Sequence, residues 1–374
     1  MKILLIGNYI NDAQESMQRF AEVLKKGLIK EKQEVKLIRP KPFFGQIKPA
    51  HYGIGKWLGY VDKFVIFPWK LKKEKKWVDI VHICDHSNSF YVKYLKDVKH
   101  LVTCHDLLTI RSALGEFQEN KIRFFGRKLQ KMILNGLNQI KNIACVSKNT
   151  KEDILSLSKI TLEKVDVIYD GLNYPYFPIK KDLAIQQLRS LNISKKMPFF
   201  IHVGNNNWYK NRLGVIRIFN HLIKNQNFSK MNLVMVGKPF TKEMKDFIRK
   251  NRLGNKVIEL ILIENKQLQA LYSLAAALIF PSLQEGFGWP IIEAQACGCP
   301  VFTSNRAPMT EVGGDAAVYI NPENLKEAAE IIVKNIDKLN SLRKKGFENV
   351  KRFSTKTMIN YYIKAYKKLI NENS

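Results

Sequence analysis

Residues 276–304, AALIFPSLQEGFGWPIIEAQACGCPVFTS, contain a strand–loop–helix–strand pattern. A short apolar run ends at Pro281, a loop with Gly286 and Gly288 follows, and a helix starts at Pro290 before the second apolar run. Proline suits the first helical turn because its missing N–H group would have no partner there. The pattern predicts two parallel strands joined by a helix, with the loop at the carboxyl end of the first strand.

Similar strand-like runs alternate with helix-like stretches along the whole chain. The first half contains KILLI, EVKLI, VDIVHIC, HLVTCH, NIACVS and VDVIYDG, and the second half contains PFFIHVG, NLVMVG, KVIELI, AALIF and PVFTS. Continuous apolar strands that alternate with helices are typical of parallel sheets covered on both faces. The sequence therefore predicts an α/β fold with two doubly wound, Rossmann-like domains.

The alternation is interrupted by a poorly patterned stretch and restarts at Pro198. We therefore predict an N-terminal domain at 1–175, a linker at 176–196, a C-terminal domain at 197–350 and a final helix at 351–374 that packs back toward the N-terminal domain. Ligands of such sheets lie beyond the carboxyl ends of the strands, so we expect the two domains to face each other across a cleft that holds the site.

The composition is that of a folded protein. Apolar residues make up 45% of the 374 residues, too many for a disordered chain. The apolar run in the opening MKILLIGNY is too short for a signal peptide or a membrane span, so we expect a soluble cytoplasmic protein. The cysteines are odd in number and scattered, which favours buried reduced thiols, and no cluster with metal-ligand spacing predicts a metal site.

The charge is strongly positive, with 62 Lys and Arg against 33 Asp and Glu, a formal net charge of +29. Such an excess favours anionic partners. No nucleic-acid-binding signature appears, so we expect no nucleic-acid partner. Two interpretations stay open: a lysine-rich solvated surface, or peripheral binding to an anionic membrane on its inner face. The basic amphipathic segment 120–140 fits either a helix on such a membrane or a helix that covers the first sheet.

The loop and helix start in the opening stretch have groups that could bind a phosphate and sugar hydroxyls. Free amides at a helix start bind anions, and Gly286 and Gly288 let a ligand approach the backbone closely. Glu293 is expected in the first helical turn, where a carboxylate can accept two hydrogen bonds from a vicinal diol. Glu285 could accept hydrogen bonds from sugar hydroxyls. The alternatives are a favourable helix-start charge for Glu293 and a solvated loop acid for Glu285.

The segment EGFGWPIIEAQACGCPV strongly resembles the signature of family 4 of the retaining glycosyltransferases, which have the GT-B architecture. CHDLLTI resembles the His-Asp element of that family, and CVSKNTKEDI and VIYDGLN resemble the close of its first domain. HVGNNNWYKNRLGVIRIF resembles the glycine-then-lysine element that opens its second domain, and TSNRAPMTEVGGDAAVYINP resembles the sequel to its glutamate motif. The resemblance covers most of the chain.

The resemblance implies transfer of a hexose from a nucleotide-diphosphate sugar to a hydroxyl of a glycan or lipid-linked acceptor, with retention at the anomeric carbon. It implies no cofactor besides the donor and no metal. Glu293 would hold the ribose diol of the donor nucleotide, and Glu285 would bind the transferred sugar. The backbone of three residues would contact the sugar and the diphosphate: Gly286, Phe287 and Gly288.

The other implied roles lie on both domains. Lys210 would neutralise the departing diphosphate, which is electrostatic stabilisation of the transition state. His105 would touch the transferred sugar near the reacting carbon, although it also fits a structural histidine. Gly7 and Asn8 would border the acceptor and phosphate side.

The sequence departs from the family pattern in one element. Many members have an arginine directly after the glycine of the second-domain element, where this chain has Asn205, and Tyr209 stands where a basic residue often precedes the lysine. Asparagine can donate a hydrogen bond but carries no charge. Phosphate binding would then depend more on Lys210, with Arg212 as a further candidate.

Two other functions remain open from the sequence. A sugar-nucleotide epimerase can share the two-domain architecture, and a non-catalytic protein could use the charge to bind polyanions or a membrane surface. The glutamate pair and Lys210 favour the transferase over the binding protein.

Overall fold

The computed structural model describes residues 1–12, 14–46, 54–191, 193 and 198–371. The chain divides into two compact units. The first unit comprises Met1–Asn173 and the chain from Thr355 onward, and the second comprises Tyr174–Ser354.

The first unit is built on a six-stranded parallel sheet with the order β2-β1-β3-β4-β5-β6. Its strands are β1 (Lys2–Ile6), β2 (Glu34–Ile38), β3 (Ile80–Ile83), β4 (His100–Cys104), β5 (Ile143–Cys145) and β6 (Val165–Val167). Its helices begin with α1 (Glu15–Lys30), α2 (Ile54–Val61), α3 (Phe67–Glu74), α4 (Leu108–Leu114), α5 (Phe124–Leu137) and α6 (Lys148–Leu157). The inner strands are buried along their length, as their continuous apolar sequences require.

The second unit has its own six-stranded parallel sheet, with the order β12-β11-β10-β7-β8-β9. Its strands are β7 (Phe199–Gly204), β8 (Asn232–Gly237), β9 (Val257–Leu260), β10 (Leu278–Phe280), β11 (Val301–Ser304) and β12 (Ala317–Ile320). Its helices are α7 (Lys181–Gln187), α8 (Arg212–Leu222), α9 (Lys242–Lys250), α10 (Asn265–Leu274), α11 (Trp289–Ala296), α12 (Met309–Gly313), α13 (Leu325–Lys334) and α14 (Leu339–Val350). The predicted α/β class with two doubly wound sheets is confirmed.

The stretch suggested as a linker, 176–196, contains regular structure where it is described. Helix α7 lies within it, and Ala184 of this helix is buried. This stretch belongs to the second unit, whose first residue is Tyr174. Two apolar side chains beside it, Leu188 and Ile193, are also buried, which explains why the segment packs.

The last helix, α15 (Thr355–Asn371), belongs to the first unit. The hydroxyl of Tyr366 is 2.6 Å from Nδ1 of His82, and that of Tyr362 is 2.8 Å from Oγ1 of Thr103. All four side chains are buried. The first unit is therefore assembled from both ends of the sequence.

Each sheet has one switch point, where the strand order reverses direction. In the first sheet it lies between β1 and β3, and in the second between β7 and β10. The loops that leave these strands at their carboxyl ends are the expected ligand-binding loops of a doubly wound sheet. All five cysteines are free and buried, and burial raises the pKa of each thiol.

Candidate functional site

The loops after β7 and β10 meet at the switch point of the second sheet. Lys210 ends a short 3-10 turn after β7, and its Nζ lies 2.7 Å from Oε1 of Glu285 in the loop after β10. The backbone also joins the loops, because the N–H of Leu283 donates to the carbonyl of Tyr209 at 2.7 Å. Two residues that the sequence singled out separately are thus brought into direct contact.

The Lys210–Glu285 pair is largely removed from water. The side chains of Lys210 and Glu285 are 14% and 8% exposed. Burying two charges costs free energy that their attraction offsets only in good geometry. The ammonium group also lies 5.3 Å from the ring centroid of Phe280, at the end of β10. The pair therefore holds a positive and a negative group in fixed positions at the switch point.

The glycine-rich loop between β10 and α11 has the backbone conformation that its sequence predicts. Gly288 immediately precedes α11 and has φ +105°, a value that favours glycine. Phe287 is buried, and its ring packs 5.6 Å from that of Phe353. The side chain of Phe287 therefore anchors the loop, which leaves its backbone as the part that can contact a ligand.

Glu293 lies just beyond the first turn of the helix, in which the sequence placed it. Helix α11 begins at Trp289, so Glu293 is its fifth residue and not part of the first turn. The carboxylate is buried, and its Oε2 accepts a hydrogen bond from the hydroxyl of Tyr272 at 3.1 Å. Burial, followed by the charge of Glu293, raises the pKa of Tyr272, so this hydroxyl stays a donor.

Asn205 and Arg212 have very different environments. Asn205 is exposed, and its Oδ1 accepts from the N–H of Asn207 at 3.0 Å. Arg212 is buried at the first position of α8, where Nη1 donates to the carbonyl of Lys238 at 2.7 Å and to the side chain of Asn206.

The guanidinium of Arg212 is only partly satisfied. Its Nε and Nη2 are buried without a hydrogen-bond partner, and it forms no ion pair with a carboxylate of the described residues. Burial lowers its pKa, although Glu259 opposes this. The site therefore contains a buried cation that makes no direct ion pair within the described part of the chain.

His202 is a neutral neighbour that the sequence did not identify. Its Nδ1 donates to the carbonyl of Ile279 at 2.9 Å, and its buried Nε2 has no partner. Burial, with the positive charges of Arg212 and Lys210, lowers its pKa to about 3. A Cβ on Gly204 would lie 3.0 Å from Nε2, so the imidazole is packed directly beneath the strand end. Nothing in its local sequence separates it from a core histidine.

Polar side chains also connect the loops at the switch point of the first sheet. Asn8, after β1, donates through Nδ2 to Oδ2 of Asp85, after β3, and accepts from Nδ2 of Asn88 at 3.2 Å. The side chain of Asn8 is thereby engaged within the protein. The N–H of Gly7 donates to the carbonyl of Ile38 at 2.9 Å. The backbone of this turn remains the part of the predicted acceptor loop that could meet a ligand.

His105, at the end of β4, is buried between two strand ends. Its Nε2 donates to the carbonyl of Cys84 at 3.0 Å, and its Nδ1 lies 3.7 Å from Oδ2 of Asp170. Burial alone would lower the pKa of His105, but Asp170 and then Asp85 outweigh it and raise the pKa. The sequence suggested Asp106 as the neighbouring acid, but that side chain accepts from the N–H of Leu108 instead.

Asp85 and Asp170 are the acids that sequence reasoning missed in the first unit. Burial alone would raise the pKa of Asp85, but His86, His105 and Ser87 together lower it. Burial raises the pKa of Asp170. Each aspartate follows a strand, in HICD and VIYD, and this position was the available signal.

Neither a metal cluster nor a membrane span is found in the described parts of the chain. No group of three or more His, Cys, Asp or Glu side chains there could hold a metal ion. No described helix combines the length and the apolar character needed to cross a bilayer.

Comparison with known families and proteins agrees with the architecture. The family model described as glycosyl transferases group 1 matches residues 185–353, and the model described as glycosyltransferase family 4 matches residues 17–174. The O-antigen chain mannosyltransferase RfbU of Salmonella typhimurium is 29% identical over 263 residues, which cover 67% of each chain. The O-antigen chain mannosyltransferase B of Escherichia coli is 22% identical over 307 residues, which cover 80% of this chain and 77% of that protein.

Solved structures share the fold at low sequence identity. Sucrose-phosphate synthase from Thermosynechococcus elongatus superposes with a TM-score of 0.76 at 18% identity, covering 99% of both chains. Anabaena HepE, solved in complex with UDP and glucose, superposes with a TM-score of 0.74 at 15% identity, covering 98% of this chain and 99% of that one. Both similarities concern the fold alone.

Proposed function

The chain belongs to the group 1 glycosyltransferases of the GT-B type, similar to family 4, and we propose that it transfers a hexose from a nucleotide-diphosphate sugar. The acceptor is a hydroxyl of a glycan or lipid-linked saccharide, and the anomeric configuration is retained. The observation that carries this proposal is the buried Lys210–Glu285 pair, 2.7 Å apart, at the switch point of the second sheet.

In this proposal the second unit binds the donor. Glu293 accepts hydrogen bonds from the ribose diol, and Glu285 accepts from a hydroxyl of the transferred sugar. The backbone amides after Gly286 approach the diphosphate, at the start of α11, where the helix dipole favours negative charge. Lys210 neutralises the charge that develops on the departing diphosphate.

Arg212 takes over part of the role that the family arginine has at the position of Asn205. A buried guanidinium without an acidic partner is unfavourable in the free protein, and a bound diphosphate supplies the missing negative charge. Together Lys210 and Arg212 place two positive charges beside the loops after β7 and β8. We therefore propose a donor site that neutralises the diphosphate with side chains and amides and uses neither a metal nor a redox cofactor.

The first unit is proposed to serve the acceptor and the transferred sugar. His105 has both ring nitrogens directed at protein groups, so its imidazole holds the ends of β3 and β4 in place. The strand end that it fixes is the part proposed to contact the sugar near the reacting carbon. The turn at Gly7 and Asn8 is proposed to border the acceptor through its backbone.

The relatives indicate which sugar to test first. Two of them are named O-antigen chain mannosyltransferases, so mannose on a growing polysaccharide is our first choice of sugar and acceptor class. A cytoplasmic protein that works peripherally at the inner face of a membrane fits an acceptor carried on a lipid.

The test is a thermal-shift screen of UDP-, GDP- and ADP-linked hexoses, followed by transfer assays with the donor that binds. Transfer to a saccharide acceptor, in the presence of EDTA and with the α or β configuration of the donor preserved in the product, is the expected result. Formation of an isomer of the free sugar nucleotide without transfer would replace the proposal with an epimerase.

A further inference from the structure

A row of apolar side chains lies exposed along one continuous helical segment of the first unit. Helix α2 passes through a π-helical turn at Asp62–Ile66 into α3 without interruption. Four residues spaced four apart point outward with large exposed fractions: Trp57 56%, Val61 36%, Val65 55% and Trp69 76%. We call these four residues the apolar stripe.

The helical geometry keeps the apolar stripe on one side. Residues four apart in an α-helix drift slowly around the axis, and a π-turn uses more residues per turn, which compensates for that drift. The opposite side of the segment is packed, since Asp62, Phe67 and Leu71 are buried. The ring of Phe64 also lies 4.8 Å from that of Phe90 in the core. The exposed side is therefore a defined face of a well-anchored helix.

The start of α5 extends the apolar stripe. Phe124 and Phe125 are 64% and 63% exposed, and the ring of Phe125 lies 5.5 Å from that of Trp57. Further along α5, Ile133 and Leu137 are buried against the sheet. The two interpretations of segment 120–140 thus apply to different halves of one helix. Its second half covers the core, and its first half joins the exposed face.

The two segments that carry this face are strongly basic. The sequence from Ile54 to Lys73 has one acid, Asp62, which is buried, and the sequence from Asn120 to Leu137 has none. We call six of the exposed basic residues on the two segments the basic rim: Lys72, Lys73, Arg123, Arg127, Lys128 and Lys131. The ammonium groups of Lys72 and Lys128 lie near the rings of Trp69 and Phe124.

We propose that the apolar stripe and the basic rim dock the protein on an anionic lipid bilayer. Exposed tryptophan and phenylalanine side chains insert at the boundary between head groups and acyl chains, where amphipathic rings are favoured. The basic rim lies at the level of the lipid phosphates, and each of its charges adds to the attraction. A second copy of this chain is a poorer occupant because it would bring two basic rims together. This inference goes beyond the transferase activity, since docking requires neither donor nor acceptor.

The helical segment that carries the apolar stripe also contacts the turn proposed to border the acceptor. The hydroxyl of Tyr9, next to Asn8, donates to Asp62 at 2.9 Å, and Lys63 pairs with Asp12 at 2.8 Å. Docking would therefore hold this turn close to the membrane, where a lipid-linked acceptor is located. This last consequence rests on the proposed function, whereas the docking itself does not.

Docking is tested by sedimentation of the full-length protein with vesicles of phosphatidylcholine alone or with phosphatidylglycerol added. We expect binding to the anionic vesicles that weakens as salt is added, because the charges are screened. The variant W57S/W69S should bind at least about ten-fold more weakly. The variant R127Q/K128Q/K131Q should lose about five-fold per charge, on the order of 100-fold in total.

Two control variants match these changes elsewhere on the chain. I261S/L262S removes exposed apolar side chains from the second unit, and K96Q/K141Q/K159Q removes three exposed charges from the first unit outside the basic rim. Both should bind vesicles nearly as well as the wild type. Circular dichroism and the thermal midpoint check that each variant is folded.

Equal vesicle binding by W57S/W69S and the wild type would overturn the proposal. So would equal binding to neutral and anionic vesicles, or light scattering that shows a dimer broken by W57S/W69S together with no vesicle binding. With a water-soluble acceptor, W57S/W69S should keep its transfer rate, and with a vesicle-borne acceptor it should lose at least about ten-fold. A failure of transferase activity with vesicle binding intact would count against the proposed function alone.

Discussion

At the scale of single residues, the second unit concentrates buried charge at one switch point. The Lys210–Glu285 pair satisfies its own charges, whereas the guanidinium of Arg212 keeps two nitrogen atoms without partners. Removing one member of a buried pair leaves the other uncompensated. Effects on folding and on catalysis therefore have to be separated when these residues are changed.

Lys210→Ala should lower kcat by about 10²–10³, because one preorganised donor to the developing charge is lost. Steady-state rates with labelled donor measure this effect. Lys242→Ala, which removes an exposed charge at the start of α9, should change kcat less than about two-fold. A folded Lys210→Ala protein with wild-type turnover would contradict the assignment.

Glu293→Ala should weaken binding of the donor nucleotide by about ten- to a hundred-fold, because hydrogen bonds from a diol to a charged acceptor are lost. Isothermal titration with nucleoside diphosphates measures the affinity. Tyr272→Phe is the control, since it removes the 3.1 Å hydrogen bond to Glu293 and keeps the carboxylate. If both variants lose affinity equally, Glu293 acts through local packing and not through the ribose.

Arg212→Met should reduce the affinity for a nucleoside diphosphate by about ten-fold or more and leave the affinity for the nucleoside nearly unchanged. The reason is that the guanidinium forms no direct ion pair with a carboxylate of the described residues and is proposed to bind the diphosphate. Titration with both ligands separates the two contributions. A parallel loss for nucleoside and nucleoside diphosphate would indicate that Arg212 only supports the loop at Lys238.

At the scale of elements, the close approach between the ends of β7 and β8 positions the loops of the second unit. Gly204 ends β7 and is paired in register with Gly237, which ends β8 with φ +148°. A Cβ on Gly237 would lie only 1.9 Å from the carbonyl oxygen of Gly204. Because Gly237 has no side chain, the backbone of Gly204 can approach it closely. This contact fixes the point at which the loop carrying Lys210 leaves the sheet.

Gly237→Ala should destabilise the second unit by about 1–3 kcal/mol and weaken donor binding, because the backbone at Gly204 must move. Chemical unfolding and nucleotide titration together measure both effects. Gly254→Ala is a matched control in the same unit, since a Cβ there meets nothing within 4 Å. A Gly237→Ala protein as stable as the control would show that the two strand ends are not in close contact.

At the scale of the whole molecule, each unit buries a histidine within a strand of its sheet. Burial and then the charge of His105 lower the pKa of His82 in the first unit to about 3, as burial does for His202 in the second. His105 behaves oppositely, because its pKa is raised. Because folding lowers the pKa of His82 and His202 and raises that of His105, we expect the free energy of unfolding to be largest near the ordinary histidine pKa of about 6.5.

Stability should therefore fall as the pH is lowered from about 6.5 to 5. The unfolded chain takes up a proton on His82 and on His202 in this range and the folded chain does not, so each contributes about 1.4 kcal/mol per pH unit. Above about 6.5 their contribution is fully present, and the contribution of His105 is lost as the pH rises through its raised pKa. Urea unfolding across the pH range measures this dependence.

His202→Gln isolates the contribution of the second unit to the pH dependence of stability, because glutamine can still donate to the carbonyl of Ile279 and does not titrate. This variant should unfold with a shallower pH dependence in acid. An unchanged dependence would mean that His202 is protonated in the folded protein or does not differ from the unfolded chain.

Much of the fold is encoded locally and could be predicted. The helical patterns near 212–224, 265–276 and 290–298 appear as helices at 212–222, 265–274 and 289–296. Continuous apolar strands between them predicted parallel sheets, because both faces of such strands must be covered. The glycines around Phe287 and the neighbouring glutamates indicated the loop that carries the candidate site.

Contacts between distant residues were decided only by the tertiary structure. Lys210 and Glu285 are 75 positions apart in the sequence, and His105 lies beside Asp170, not beside its sequence neighbour Asp106. Whether Arg212 is paired and whether Trp57 and Trp69 are covered depend on what the rest of the chain packs against them. The sequence alone determined the alternation of apolar strands with helices, and hence the two sheets. Burial and charge pairing at the site arise only when strand ends that are distant in the sequence meet.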